Sequence, residues 1–155
     1  MEIRMARPED IPGLTDLLLQ VGEVHHKIRP DLFRAGAQKY DEKALTEILK
    51  DPNRPIFAAV EDGTLLGYCF CVLEITRDNP VLMDQKSLYI DDLCVDENAR
   101  GKHVGARLYD FAMDYARKIG CDSLTLNVWC GNDSAMKFYE SRGLKQRNIH
   151  MEARL

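Results

Sequence analysis

The segment at residues 96–107, DENARGKHVGAR, has the composition of an anion-binding loop that leads into a helix. Gly101 and Gly105 remove side chains where the backbone could approach a ligand closely. The first turn of a helix adds unpaired N–H groups and the positive end of the helix dipole. Arg100 and Lys102 add positive charge beside it. The glycine spacing matches neither a P-loop nor a dinucleotide fingerprint, so an ordinary capped helix with a basic first turn stays an alternative.

A histidine, His103, stands between the two glycines of this loop. We expect it to lie in the first helical turn, where φ is negative, so that backbone geometry does not require glycine at this position. Its imidazole would then lie near the bound anion. We expect the closest approach of the ligand at Gly105.

Two adjacent carboxylates, Asp91 and Asp92, interrupt the strand pattern that precedes the loop. Apolar residues occupy even positions up to Ile90 and odd positions from Leu93, so the apolar face changes phase between them. A β-bulge at the two aspartates would cause this change, and bulges are frequent beside active sites. A strand that is buried on both faces would explain the pattern equally well.

These residues are positioned by an alternation of strand and helix patterns. Asp62-Gly63 between two apolar runs predicts a hairpin, Asp10 is a candidate N-cap, and Gly120 ends a helix. The predicted order is strand, two helices, hairpin, strand, helix, strand, helix, strand, which indicates an α/β or α+β layer fold in one domain over 1–155. The segments are 3–7, 8–24, 41–51, 55–75, 88–95, 102–120, 122–129, 132–143 and a closing strand at 144–155.

Composition places the chain among ordinary globular proteins. Of its 155 residues 45% are hydrophobic and 30% charged, and neither a membrane-spanning run nor a signal peptide is visible. Its five cysteines form no CxxC pair. These features together predict a cytoplasmic location. The net charge of -4 argues against a nucleic-acid partner. No metal site is expected, because His25 and His26 lack Cys or His partners at ligand spacing.

A second segment, NDSAMKFYESRGL at 132–144, follows the next predicted strand directly. Together with RGKHVGAR, it resembles the GNAT superfamily of acyl-CoA-dependent N-acetyltransferases. The resemblance covers nearly the whole chain and implies a mixed, mostly antiparallel central sheet with a splayed parallel strand pair and helices on both faces. The first family motif is matched by Arg100 and Gly105, with His103 in place of its first glycine. The second is matched by Asn132, Ala135, Phe138, Tyr139, Gly143 and Leu144.

The resemblance implies acetyl-CoA as the co-substrate. The loop N–H groups would hold its pyrophosphate, and the pantetheine arm would lie in the gap between the splayed strands. The implied binding residues are Leu93, Cys94, Val95, Arg100, Gly101, Lys102, His103, Val104, Gly105, Ala106, Asn132 and Tyr139.

The implied reaction is direct attack of a primary amine on the thioester. Tyr139 is the candidate general acid, although its spacing also suits a core position on its helix. Asp91 or Asp92, acting through water, is the candidate base, and we favour Asp91. A backbone N–H near Leu93 or Cys94 would stabilise the developing oxyanion.

The acceptor and the partners stay open at this point. The acceptor is either a small-molecule amine or a protein or peptide amine, and His25, His26, Arg29 and Tyr40 lie where the family builds its acceptor site. No membrane partner is expected, and a homodimer is possible because family members often form one. The alternative function is a non-catalytic acyl-CoA-binding module.

Overall fold

The computed structural model describes residues 1–155 as four helices and five strands. The helices are α1 (Ile11–Ile28), α2 (Glu42–Ile48), α3 (Val104–Lys118) and α4 (Asp133–Ser141). The strands are β1 (Glu2–Met5), β2 (Ile56–Glu61), β3 (Thr64–Thr76), β4 (Gln85–Val95) and β5 (Ser123–Leu126). None of the helices is both long and apolar enough to cross a lipid bilayer.

The five strands form one mixed sheet in the order β1-β2-β3-β4-β5. Every neighbouring pair is antiparallel except β4 and β5, which are parallel and joined through α3. The predicted hairpin joins β2 to β3, and both of its turn residues have positive φ, 49° at Asp62 and 77° at Gly63. This is the twist that a two-residue hairpin turn requires, so the Asp-Gly prediction is confirmed.

Helices cover both faces of the sheet, as predicted. On one face α3 packs over side chains such as Phe57, Cys69 and Leu88. On the other face α1 and α2 cover Tyr68 and Phe70. Successive strand residues therefore belong to opposite core clusters, and the alternating pattern of the sequence is a direct record of the two buried faces.

Two local predictions are wrong, and a third is confirmed in position only. Residues 144–155 form no strand, because no other strand of the chain pairs with them. Helix α3 begins at Val104, two residues later than predicted, because the backbone at His103 is left-handed. Asp10 occupies the N-cap position of α1, as predicted, but its side chain makes no capping bond, since that carboxylate accepts hydrogen bonds from Arg4 (2.7 and 3.0 Å) and from the backbone N–H of Arg7 (2.7 Å).

Candidate active site

A β-bulge in β4 produces the phase change seen in the sequence. Phe70 of β3 pairs with Asp92, whereas the next residue, Cys71, pairs with Ile90, so Asp91 is the extra residue. The predicted bulge is confirmed. Beyond it, Leu93 returns to the α3 face of the sheet, whereas the Asp92 side chain reaches the face that α1 and α2 cover.

The bulge also marks the point where β4 and β5 separate. Their parallel pairing covers only Ser87–Ile90 with Ser123–Leu126, so β4 pairs with β3 alone from Asp91 onward. The N–H of Asp96 donates to the carbonyl of Leu66 (2.9 Å). In an antiparallel pair, every second residue directs its backbone groups to the neighbouring strand, so this bond shows which residues of β4 are hydrogen-bonded to β3.

This alternation decides which backbone groups face the gap between β4 and β5. Cys94, opposite Tyr68, directs its N–H and C=O groups toward β3. Leu93 and Val95 direct theirs to the opposite side, into the gap. Leu93, Cys94 and Val95 were the residues of β4 expected to bind the ligand. The backbone groups of Cys94 therefore point away from the gap. The N–H of Leu93 points into the gap and is nearer to the bulge than that of Val95.

The loop after β4 bends through two left-handed residues. Gly101 has φ of 83° and His103 has φ of 58°. The expectation that His103 lies in the first helical turn with negative φ is therefore wrong. The resembling family places glycine at this position, and the positive φ gives the physical reason, because a side chain there is strained.

The first turn of α3 leaves backbone donors free. The N–H groups of Val104, Gly105 and Ala106 donate to no group of the protein. A Cβ built on Gly105 would meet Val95 Cγ2 at 3.5 Å, an ordinary contact. The fold itself therefore does not require glycine at this position.

The two basic side chains of the loop differ in their surroundings. Lys102 Nζ lies 3.0 Å from Glu61 Oε2, so its charge is paired at the surface. Arg100 is exposed and makes no hydrogen bond or ion pair. Of the two, Arg100 is the cation that an anion at this loop would meet without breaking an existing pair.

The carboxylate of Asp91 is bound by residues from the segment between α1 and α2. Lys39 Nζ donates to Asp91 Oδ2 at 2.7 Å, and the Tyr40 hydroxyl donates to the same oxygen at 3.2 Å. Arg54 in turn donates to the Tyr40 oxygen at 2.9 Å. Asp91 thus ties this segment to the bulge.

The carboxylate of Asp92 has one protein donor, the hydroxyl of Tyr68, at 2.8 Å. Burial raises the pKa of Asp92, and the Tyr68 hydrogen bond together with the positive charge of Lys39 opposes that rise. Tyr68 itself is fully buried, and burial raises its pKa, so its hydroxyl stays a proton donor at neutral pH. A carboxylate with a raised pKa is a better proton acceptor.

Tyr139 packs beside the gap on the α3 face. Its ring contacts Phe138 and Tyr109, with centroids 5.1 and 6.3 Å away, so it contributes to the core as its spacing suggested. Its hydroxyl makes no hydrogen bond with the protein and is therefore free for a ligand. Burial raises the pKa of Tyr139, and the neighbouring Asp92 carboxylate acts in the same direction.

Two other predicted residues have evident structural roles. Asn132 is the N-cap of α4, since its Oδ1 accepts from the N–H of Ala135 at 3.3 Å. Cys94 is buried, and burial raises the pKa of its thiol to about 12. A thiol with such a pKa holds almost no thiolate at neutral pH, which argues against covalent catalysis at Cys94.

The segment after α1 and the end of β5 form an aromatic cluster. Phe33 contacts His25 and Trp129, with centroids 5.1 Å away in both cases. His26 Nδ1 lies 2.7 Å from the carbonyl oxygen of Phe33. Arg29 pairs with acidic groups at the surface.

Three residues of the site, Lys39, Phe33 and Tyr68, were not predicted from the sequence. Lys39 and Phe33 belong to an irregular segment with no periodic signal. Tyr68 sits in an apolar strand run, where only the register with β4 shows its polar partner. No local signal in the sequence could have placed these three residues at the site.

Comparison with known proteins identifies the family. The model of the acetyltransferase (GNAT) family matches residues 22–144. The chain belongs to the GNAT family. This member is 31% identical over 149 residues to YhfO of Bacillus subtilis, an uncharacterized N-acetyltransferase, covering 94% of this chain and 91% of that one. It is 29% identical over 97 residues to the glucosamine 6-phosphate N-acetyltransferase of Arabidopsis thaliana, covering 54% and 63%.

Solved structures agree with this assignment. A mutant of the BH1408 protein of Bacillus halodurans superimposes on this GNAT chain with a TM-score of 0.95 and 29% identity, covering 100% and 99% of the two chains. The shared sheet has the antiparallel order with a parallel β4-β5 pair that the resemblance implied. The chain is thus a GNAT-fold acetyltransferase.

Proposed function

We propose that this acetyltransferase moves an acetyl group from acetyl-CoA to a primary amine by direct attack in a ternary complex. The observation that carries the proposal is the bulge at Asp91, because it opens a gap in the sheet beside a desolvated carboxylate and a free tyrosine hydroxyl. Proton acceptor and proton donor are thereby both available at one gap.

The residues around the gap fit acetyl-CoA, which supplies the acyl thioester. The free N–H groups of Val104 to Ala106 and the exposed Arg100 would hold the pyrophosphate. The outward-facing backbone of Leu93 and Val95 would pair with the pantetheine amides, as a strand edge pairs with a peptide. We propose from the resemblance that Asn132, Gly101, Lys102 and His103 lie around the same ligand.

We assign the base to Asp92 rather than Asp91. The Asp91 carboxylate is already neutralised by Lys39 and would have to break that ion pair to take a proton. Asp92 has a single donor and a raised pKa, and it reaches the face of the sheet that carries the aromatic cluster. It would accept the proton of the attacking amine through water.

Tyr139 is assigned the general acid. Its raised pKa keeps the hydroxyl protonated at neutral pH, so it can donate to the leaving sulfur. The N–H of Leu93 is the donor proposed for the oxygen on which negative charge develops. No metal takes part in this scheme.

The acceptor is a small-molecule amine or a peptide amine. Release of free thiol from acetyl-CoA, measured across a panel of amino sugars, polyamines, amino acids and peptides, identifies it. CoA affinity is measured in parallel by calorimetry. Tight CoA binding without acceptor-dependent thiol release in any arm would replace this proposal with the non-catalytic acyl-CoA-binding module.

A further inference from the structure

The bulge of β4 places two consecutive carboxylates, Asp91 and Asp92, at one end of the gap. Neighbouring carboxylates oppose each other's ionisation, because each negative charge makes the next one less favourable. Burial is the larger cause of the raised pKa of Asp92, and the charge of Asp91 acts in the same direction. A proton acceptor at this bulge therefore depends on what compensates the charge of Asp91.

Lys39 supplies the compensating charge from the segment between α1 and α2. Its Nζ lies 2.7 Å from Asp91 Oδ2, whereas the carboxylate of Asp92 accepts from the Tyr68 hydroxyl at 2.8 Å. Burial lowers the pKa of Lys39, but the hydrogen bond to Asp91 and its charge outweigh burial and raise it. The ammonium therefore stays charged at neutral pH, and the Lys39–Asp91 pair has a net charge of zero.

Tyr40 and Arg54 hold this ion pair in place. Arg54 donates to the Tyr40 oxygen at 2.9 Å, and the Tyr40 hydroxyl donates to Asp91 Oδ2 at 3.2 Å. The Tyr40 ring stacks on Phe70, the residue of β3 that lies opposite Asp92, with centroids 5.7 Å apart. The network thus bonds to the Asp91 carboxylate and leaves that of Asp92 to Tyr68.

The other titratable groups around Asp92 do not compensate a negative charge. Burial raises the pKa values of Tyr68 on β3, Cys94 on β4 and Tyr139 on α4, and the hydrogen bond to Cys71 raises that of Cys69. All four are therefore neutral at neutral pH. His25 of α1 is the remaining titratable group on this side. Lys39 is the lysine whose charge reaches Asp92, and it is bound to Asp91.

We propose that Lys39 is a positioning residue whose ion pair with Asp91 leaves Asp92 as the carboxylate that takes the proton of the attacking amine. Lys39 touches no reacting atom and acts through Asp91. Without its charge, Asp91 would be an uncompensated anion, and Asp92 would keep its own proton to higher pH. The inference rests on the proposed role of Asp92 as the base.

The test is a series of charge-changing substitutions, read by carboxyl carbon NMR on the protein alone. This measurement follows the titration of Asp92 itself, and the signal that disappears in Asp92→Asn assigns it. Lys39→Met should move the titration of Asp92 to higher pH. Asp91→Asn should move it to lower pH, because the charge of Lys39 is then uncompensated. The double variant Lys39→Met with Asp91→Asn should return it close to the wild-type position.

Two matched variants control for charge and for structure. Lys39→Arg keeps the charge and should retain the wild-type titration. Lys43→Met removes the same charge from an exposed lysine of α2 and should also leave the titration in place. Thermal melting shows which variants are folded, and Lys39→Gln replaces Lys39→Met if the latter is not. An unchanged titration of Asp92 in a folded neutral variant of Lys39, or one that stays displaced in the double variant, would overturn the proposal.

Kinetics separate a failure of this inference from a failure of the proposed function. The profile of kcat/KM against pH is measured with the best acceptor from the amine panel, and its acid limb should follow the NMR titration through the series. A limb that stays in place while the titration of Asp92 moves would overturn the inference and leave acetyl transfer standing. Failure of the proposed function would instead appear as a wild type without acceptor-dependent thiol release, and the inference would fall with it.

Discussion

Replacing Tyr68 by phenylalanine removes the one hydrogen bond that the protein donates to Asp92, a bond of 2.8 Å. Because Tyr68 is fully buried and phenylalanine has nearly the same shape, packing should be retained. A hydrogen bond to a charged group contributes about 1.5–3 kcal/mol, and one pKa unit corresponds to about 1.4 kcal/mol. This energy stabilises the ionised form of Asp92, so its loss should raise the pKa of Asp92.

The sign of the effect follows from the role of base that we propose for Asp92. A base must be ionised, so activity falls as the pH drops through its pKa, and a higher pKa moves this acid limb to higher pH. At pH values well above the limb, Tyr68→Phe should have nearly the wild-type rate. Below the limb, the rate should fall about 10-fold for every pH unit by which the pKa of Asp92 has risen.

The measurement is kcat/KM against pH with one acceptor, so that ionisation of the amine contributes equally to every profile. Tyr89→Phe is the matched control. It deletes the hydroxyl that accepts from Asn127 at 3.1 Å and that makes no hydrogen bond with Asp92, and the acid limb of this variant should not move. An acid limb that stays in place in Tyr68→Phe, in a protein that melts normally, would refute Asp92 as the base.

Five other substitutions test the remaining assignments. Tyr139→Phe should lower kcat by about 100-fold while CoA affinity, measured by calorimetry, stays nearly constant, and an unchanged kcat would remove Tyr139 as the acid. Gly105→Val should abolish CoA binding, whereas a folded variant that keeps its affinity would contradict the loop assignment. His103→Gly should raise the free energy of unfolding, measured by denaturant titration, by about 0.5–1 kcal/mol, since φ at this position is 58°. The affinity of this variant for CoA should change little. A large loss of affinity would show that the imidazole binds the ligand. Asp92→Asn should lower kcat far more than Asp91→Asn, and the reverse order would restore Asp91 as the base.

Local patterns in the sequence were sufficient to predict most of the strands of the sheet and the faces that they bury. Alternation separates two sets of strand residues, and these sets are the two buried faces that the structure shows. The change of phase between Ile90 and Leu93 indicated a bulge as one of two explanations, because an inserted residue moves the apolar side chains from even to odd positions, and the register with β3 decided for it. Asp62-Gly63 fixed the hairpin through its own backbone preferences.

Other features depend on contacts between distant residues, which no local pattern contains. The choice of Asp92 follows from Tyr68, whose hydroxyl reaches it only because β3 and β4 pair in one register. Lys39 meets Asp91 across 52 positions of the chain. The left-handed backbone of His103 was also missed, since histidine gives no signal for it.

The sequence by itself determined which residues face the core, where the strand changes phase and which loop has the composition of an anion-binding site, because periodicity and residue type act locally. The tertiary structure decided which aspartate is desolvated and which is paired, since burial and ion pairing exist only once distant segments meet. It also showed that the strand pattern of residues 148–155 has no partner within one chain. Alternation predicts that a segment can be a strand, but only an available neighbouring edge makes it one.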